Sequence, residues 1–154
     1  MTEFFKNLLR NSPIVLDGAW GTQLQNKGLE PGEIPDIWNL IHPDKVYEVA
    51  KAYVDAGSRI ILTNTFGANK IRLSESLEFS SKVKEINKRG VEISKSAADG
   101  KAYVFASIGP SGKLLMSGDV TEEELFETFK EQAQAMADAG ADGIVIETMS
   151  DIVE

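Results

Sequence analysis

The sequence contains no cysteine and only one histidine, His42. Cysteine thiolates and histidine imidazoles are the usual ligands of structural zinc, and cysteine is also the usual thiol nucleophile. Their scarcity excludes a self-contained zinc finger, a disulfide framework and thiol catalysis by these residues. The lack of cysteine also gives weak support for a reducing compartment.

Long apolar runs and an excess of basic residues are missing as well. No segment approaches the roughly 20 consecutive apolar residues that span a bilayer. The start, "MTEFFKNLLRNSP", has charges within its apolar stretch, so we predict a short amphipathic helix and not a signal peptide. We therefore expect a cytoplasmic protein without a membrane partner. The formal net charge of −8 argues against a nucleic-acid surface.

Four apolar runs predict buried strands, at 14–16, 59–62, 102–106 and 143–146. They are nearly continuous, as expected for parallel strands that are covered on both faces. Apolar residues at helical spacing predict three helices between them, around 46–54, 83–97 and 125–136. The third helix opens with Thr121-x-x-Glu124, a capping-box pattern. This alternation predicts a parallel α/β fold.

An internal repeat extends this prediction. The stretch "AYVDAGSRIILTNTF" from Ala52 aligns with "AMADAGADGIVIETM" from Ala135. In both copies a glycine, Gly57 or Gly140, fits the position just after a helix that turns into a strand. Repeated β/α units build a (β/α)₈ barrel, which typically needs about 250 residues. We therefore predict parallel (β/α) units forming the first half of a TIM-type barrel, with about four strands; an open flavodoxin-like sheet is the alternative.

Polar residues follow each predicted strand, at the edge where parallel α/β folds bind ligands. They include Asp17, Asn64, Ser107 and Glu147, and the repeat aligns Asn64 with Glu147. A carboxylate at a strand end is unfavourable unless it is paired. Asp17 and Glu147 could therefore serve a ligand ammonium group, a metal such as Mg²⁺, or acid–base catalysis.

Together these strand ends resemble the homocysteine-binding domain of homocysteine S-methyltransferases, as in the amino-terminal module of cobalamin-dependent methionine synthases. The resemblance rests on five motifs in family order: "DGAWGTQLQ" (17–25), "WNL" (38–40), "AGSRIILTNTFGAN" (56–69), "SIGPSGKLL" (107–115) and "AGADGIVIETMSDI" (139–152). It implies a methyltransferase of methionine biosynthesis, built on a (β/α)₈ barrel that binds homocysteine and a zinc ion, with zinc activating the thiol.

The resemblance also implies roles for individual residues. Asp17 and Glu147 match the family's acids near the ammonium group of homocysteine. Gly18, Thr65 and Phe66 match the floor and walls of that pocket. Asn64, the counterpart of Glu147 in the repeat, completes the predicted substrate-binding set. No catalytic residue and no metal ligand is predicted within this chain.

The sequence departs from the family in one respect. Family members bind zinc through three cysteine thiolates, and this chain has none. We therefore expect residues 1–154 to be the amino-terminal half of the barrel domain, inactive alone, with Glu154 at the seam between the halves. In methionine synthases the methyl group comes from methylcobalamin, which methyltetrahydrofolate recharges on other domains.

The expected partners are homocysteine and the missing carboxyl-terminal half-barrel, or a second copy of this chain, since a half-barrel leaves open strand edges. Two other interpretations remain open from the sequence. One is a self-associating half-barrel scaffold without catalysis. The other is a different α/β module that binds a small molecule or a metal.

Overall fold

The computed structural model describes residues 3–10 and 12–154. Its helices and strands, in chain order, are α1 (Glu3–Leu9), α2 (Trp20–Asn26), α3 (Trp38–Ile41), α4 (Pro43–Asp55), β1 (Ile60–Leu62), α5 (Lys70–Leu73), α6 (Val83–Ala98), β2 (Tyr103–Ile108), α7 (Glu122–Asp138) and β3 (Gly143–Ile146). Short 3₁₀ turns occupy Pro35–Ile37 and Leu115–Ser117. Among the helices of this described part, none has the length and apolar character needed to cross a membrane.

The strands form one parallel sheet in the order β1-β2-β3, with Ile61 beside Val104 and Ala106 beside Ile144. The prediction of a parallel α/β fold is confirmed. The prediction of a strand at 14–16 is wrong, because this segment makes only one isolated parallel bridge, between Leu16 and Ile60. The chain then turns at Gly18 and enters α2, so the ladder ends after the amide of Asp17 donates to the carbonyl of Ile60.

The three long predicted helices are present as α4, α6 and α7. One face of the sheet is buried beneath α4 and α6, where Val54 and Ala97 pack in a cluster with Ile61 and Val104. The capping box of α7 is confirmed: the Thr121 hydroxyl accepts from the Glu124 amide, and the Glu124 carboxylate accepts from the Thr121 amide.

The two glycines of the repeat have the predicted backbone conformation. Gly57 has φ +98° and Gly140 has φ +83°, each directly after the last residue that caps its helix. A left-handed residue at this position reverses the chain with little strain only if it is glycine. Both helices therefore pass within a few residues into the next strand, β1 or β3.

The two faces of the sheet are covered unequally. On the face opposite α4 and α6, Leu8 of the amino-terminal helix packs against Ile60 and Phe105. The prediction that every strand is buried is wrong for β3, where Ile144 is 42% exposed and Ile146 is 70% exposed. Among the described strands β3 pairs with β2 alone, at one edge of the sheet.

Candidate binding site at the carboxyl ends of the strands

Asp17 lies just after the bridge to β1 and is held by two donors. Its Oδ2 accepts from the Trp20 indole at 2.8 Å and from the Leu62 amide at 2.7 Å. A further hydrogen bond comes from its own backbone amide. These donors fix the side chain to the end of β1.

Glu147 follows β3 directly and has a similar arrangement. Its amide donates to the Ile108 carbonyl at 3.0 Å, which extends the ladder by one residue. Its side chain is half-buried, and Oε1 accepts from the hydroxyl of Ser107 at the end of β2. In the described part of the chain Oε2 accepts no hydrogen bond.

The charge of Glu147 acts on the carboxyl group of Asp17. Burial raises the pKa of Asp17, hydrogen bonds from Leu62 and Trp20 oppose the rise, and the negative charge of Glu147 adds to it. The prediction that both acids face one site stays a prediction. A cation beside Asp17 would favour the ionised form of this carboxyl.

Gly18 permits close packing of the turn after Asp17. A Cβ at Gly18 would lie 3.1 Å from the hydroxyl oxygen of Tyr53, which donates to the Ala19 carbonyl at 3.1 Å. Space for α4 therefore accounts for this glycine. Its predicted place in the pocket wall stays a prediction.

The loop between β1 and α5, residues 63–69, carries the other three predicted site residues. Thr65 is fully buried and its hydroxyl donates to the Ser107 carbonyl at 2.9 Å. Asn64 is also buried, and its amide donates to Pro35 and Asn39. Phe66 is 41% exposed. Phe66 is thus partly exposed at the carboxyl edge of the sheet, whereas Thr65 and Asn64 support the loop from within.

Four buried side chains that the sequence analysis missed hold the backbone of this loop. Each is at most 3% exposed: Asp36, Asn39, Asn87 and Gln132. Three donate to loop carbonyls, namely Asn39 to Asn64 at 2.7 Å, Gln132 to Thr65 at 2.9 Å and Asn87 to Ala68 at 2.6 Å. The fourth, Asp36, accepts from the Gly67 amide at 2.9 Å. The sequence carried one indication of these contacts: Asn87, Gly90 and Ser94 interrupt the apolar face of α6.

A second missed contact joins the loop after β2 to the segment after β3. The amide and the hydroxyl of Ser111 donate to one oxygen of Glu154, at 2.7 and 2.6 Å. Ser111 is 1% exposed. The loops at this edge of the sheet are therefore tied to one another by side chains, beyond the ladder itself.

The donor set does not fit a zinc ion. The described residues contain no group of three or more histidine, cysteine, aspartate or glutamate side chains that could hold a metal. The His42 ring packs edge-on against Trp38, with 4.8 Å between ring centroids. Zinc needs three or four nitrogen, sulfur or oxygen ligands at one point.

The fold matches that of a solved enzyme. The structure superimposes on the homocysteine methyltransferase MmuM from Escherichia coli with a TM-score of 0.80 for the metallated form and 0.82 for the oxidized form. Sequence identity is 23% in both, over 97% and 99% of this chain. The matches cover 58% and 59% of those chains, so the likeness shows a shared fold for part of that enzyme.

Sequence relatives agree. The chain is 33% identical, over 92% of its length, to methionine synthase of Mycobacterium leprae, and 32% identical, over 96%, to that of Mycobacterium tuberculosis. It spans only 13% of either synthase. The family model described as homocysteine S-methyltransferase matches residues 14–154. The chain therefore belongs to the homocysteine S-methyltransferase family.

Proposed function

We propose that residues 1–154 form the amino-terminal half of a homocysteine-binding (β/α)₈ TIM-type barrel domain and hold the amino-acid end of homocysteine. The observation that carries this proposal is the pair of carboxylates at the strand ends. Asp17 accepts from the Leu62 amide and Glu147 accepts from the Ser107 hydroxyl, and the negative charge of Glu147 contributes to the raised pKa of Asp17.

An ammonium group suits this pair. It carries three N–H donors and one positive charge, so it can donate to Asp17 and Glu147 together. Charge-assisted hydrogen bonds of this kind are roughly twice as strong as neutral ones. The exposed ring of Phe66 supplies an apolar surface at the same edge for the methylene groups of the substrate.

In the full-length protein we propose transfer of a methyl group to the homocysteine thiol, which yields methionine. Zinc serves thiol activation in this family, and its ligands would have to come from residues outside this chain, because the residues present do not form such a site. Methylcobalamin and methyltetrahydrofolate would be bound by other domains. We therefore expect this chain to be inactive alone.

Exposed apolar side chains support a partner along the open edges of the sheet. Ile144 and Ile146 are exposed on β3, and Val15 and Leu16 are 58% and 47% exposed at the opposite end of the sheet. Open edges and apolar patches are typical of surfaces that another segment covers. We propose the carboxyl-terminal half of the barrel as the occupant, since the solved relative is longer than this chain. A self-associating scaffold is the second candidate, favoured by the same exposed residues.

Calorimetry with L-homocysteine tests the binding role. We expect the chain to bind homocysteine and not 4-mercaptobutanoate, which lacks the ammonium group. Asp17→Asn and Glu147→Gln should each weaken binding at least about tenfold, since each removes a charge-assisted contact. Asp44→Asn, an exposed acid on α4, is the matched control and should bind as the parent does. Equal affinity for both compounds would contradict the proposal.

Two further measurements test the remaining parts. A methyl-transfer assay with added zinc should give no turnover, and robust turnover would contradict the proposed inactivity. Sedimentation should give a monomer that associates with a separately produced carboxyl-terminal half. A stable homodimer would favour the scaffold, with Asp17 and Glu147 present twice.

A further inference from the structure

The peptide unit between Phe66 and Gly67 is held from both sides. Its carbonyl, that of Phe66, accepts from the Gly109 amide at 2.9 Å. Its N–H, that of Gly67, donates to Oδ1 of Asp36 at 2.9 Å. A single peptide plane therefore has both of its polar groups bound by partners from different parts of the chain, the loop after β2 and the 3₁₀ turn at Pro35–Ile37.

Asp36 is an unusual partner because it is a buried acid. It is 3% exposed, and burial raises its pKa to about 6, against the stabilising hydrogen bonds from Gly67 and from its own amide. The one charged group that acts on it within the described residues is Arg72 of α5, which lowers the pKa. A buried acid without full charge compensation is destabilising.

Gly67 allows the acid to approach the backbone closely. A Cβ at Gly67 would lie only 3.1 Å from Oδ2 of Asp36 and 3.9 Å from Nε of Arg72. A peptide that precedes glycine can also reverse its orientation at low energy, because glycine accepts positive φ angles. Gly67 does not have a positive φ here. Reversal would break both hydrogen bonds of the peptide unit.

The orientation of this peptide affects the ring that precedes it. The Phe66 ring packs against Gly109, where a Cβ would lie 2.5 to 2.6 Å from three ring carbons. Gly109 follows β2 two residues after Ser107, whose hydroxyl holds Glu147. The ring position is therefore linked to the carboxylate pair through the end of β2.

We propose that Asp36 is a positioning residue for the candidate site at the carboxyl ends of the strands. Its carboxylate holds the Phe66–Gly67 peptide in one orientation and thereby keeps the Phe66 ring over Gly109. Asp36 is separated from the surface by the loop, so it acts through the peptide and not by touching a ligand. Its effect on homocysteine rests on the proposed function, whereas its effect on the loop does not.

NMR of the chain tests the loop directly. Asp36→Ala should raise the hydrogen-exchange rate of the Gly67 amide by at least about tenfold, since the amide loses its acceptor. The Phe66 ring resonances should lose their contacts with Gly109. Asp36→Asn keeps an acceptor oxygen and should preserve both. Asp44→Asn serves as the surface control. A folded Asp36→Ala chain with unchanged Gly67 exchange and unchanged Phe66–Gly109 contacts would overturn the proposal.

A pH titration decides the matter even if Asp36→Ala fails to fold. In the parent chain the Gly67 amide proton should shift with a midpoint near pH 6, as Asp36 loses its proton. In Asp36→Asn this shift should be absent. A Gly67 amide that shows the same pH response in both chains would mean that the hydrogen bond does not form.

Homocysteine affinity adds a functional measurement that a purely structural role would not change. Asp36→Ala should weaken binding about tenfold and Asp36→Asn should restore it. If the parent chain binds no homocysteine, the proposed function fails, and the NMR measurements still decide the role of Asp36. Parent-like affinity in a folded Asp36→Ala chain would overturn the link between the peptide and the site.

Discussion

The loop after β1 and the segment after β3 are aligned by the sequence repeat, yet they differ in how far their side chains are buried. In the first, residues 63–69, Asn64 is 5% exposed and Thr65 is fully buried. In the second, residues 147–154, Thr148 has a φ of +63°, and Ile152 and Val153 are 102% and 54% exposed. One copy of the repeat ends in a buried, internally bonded loop and the other in an open segment.

The difference follows from where backbone polar groups find partners. A buried loop must satisfy each carbonyl and amide within the protein, because water does not reach them. Side chains from α3, α6 and α7 do so for the first loop. The second segment can use solvent, and the side chains of Glu147 and Glu154 bond it to β2 and the following loop. We expect substitutions in the first region to change stability more than those in the second.

The largest expected effect comes from Asp36, the titratable support of the buried loop. Its pKa rises from 3.8 in the unfolded chain to about 6 in the folded one. The folded state therefore loses stability as pH rises from about 4 to about 6, by about 3 kcal/mol in total. Asp36→Asn has no such loss, so its stability relative to the parent should increase over this range.

Urea unfolding across that pH range gives this difference directly. The Asp44→Asn control should show a nearly constant difference from the parent. If the parent and Asp36→Asn curves stay parallel from pH 4 to pH 7, Asp36 does not titrate in the folded loop as described. The Asp36 carboxylate would then not make the stability of the buried loop depend on pH.

Gly90→Ala should have the next largest effect. A Cβ there would lie 2.6 Å from Cγ2 of Thr65 and 2.7 Å from Nδ2 of Asn39, both part of the buried loop and its support. Overpacking should destabilise the chain by about 2 kcal/mol, even though alanine is the better helix former by about 1 kcal/mol. Urea unfolding measures the change.

Gly21→Ala is the matched control. Gly21 lies in α2, and a Cβ there would meet nothing within 4 Å. It should therefore show only the gain in helix propensity, of up to about 1 kcal/mol. If both substitutions were stabilising, the loop would be loose enough to move away from α6, and the contrast between the two regions would fail.

Gln132→Ala tests how far the loop after β1 depends on a side chain of α7. Its amide donates to the Thr65 carbonyl, and its Oε1 is buried without a hydrogen-bond partner among the described residues. Loss of the donor should outweigh relief of that unpaired oxygen, with a net destabilisation of about 1.5 kcal/mol. Gln134→Ala on the same helix, where the amide binds only exposed Asp138, should change the free energy of unfolding by less than about 0.5 kcal/mol. Equal effects would mean that the loop does not depend on α7.

Apolar periodicity was sufficient to predict most of the scaffold. It identified β1, β2, β3 and the three long helices, because each presents an apolar face to one core. It wrongly predicted a strand at 14–16, because an isolated bridge and a strand can have the same apolar sequence. The turn at Gly18, which ends the pairing here, does not change that pattern. It also failed to predict that β3 is half exposed, because exposure depends on what packs against a strand.

The site was predictable in part, and for a physical reason. Asp17 and Glu147 stood out because an acid directly after an apolar run requires a partner. Asp36, Asn39 and Gln132 did not, since isolated polar residues near helices are ordinary on a surface. Their role depends on long-range contacts, such as the one between Gln132 and Thr65. Asn64 shows the reverse case: it is aligned with Glu147 in sequence, yet its side chain bonds Pro35 and Asn39.

The smallest stability effect should come from Ser107→Ala, which acts on the open segment. The Ser107 hydroxyl donates only to half-buried Glu147, and the Ser107 amide remains bound to Thr63. Solvent can replace the lost donor, so the free energy of unfolding should fall by less than about 1 kcal/mol. Homocysteine affinity should fall several-fold, because the Glu147 carboxylate is no longer oriented beside Asp17. Exposed Ser117→Ala is the control and should change neither quantity. A loss of stability comparable to that of Gly90→Ala, with affinity retained, would show that the contact between Ser107 and Glu147 supports the fold. In that case the segment after β3 would be as structural as the loop after β1.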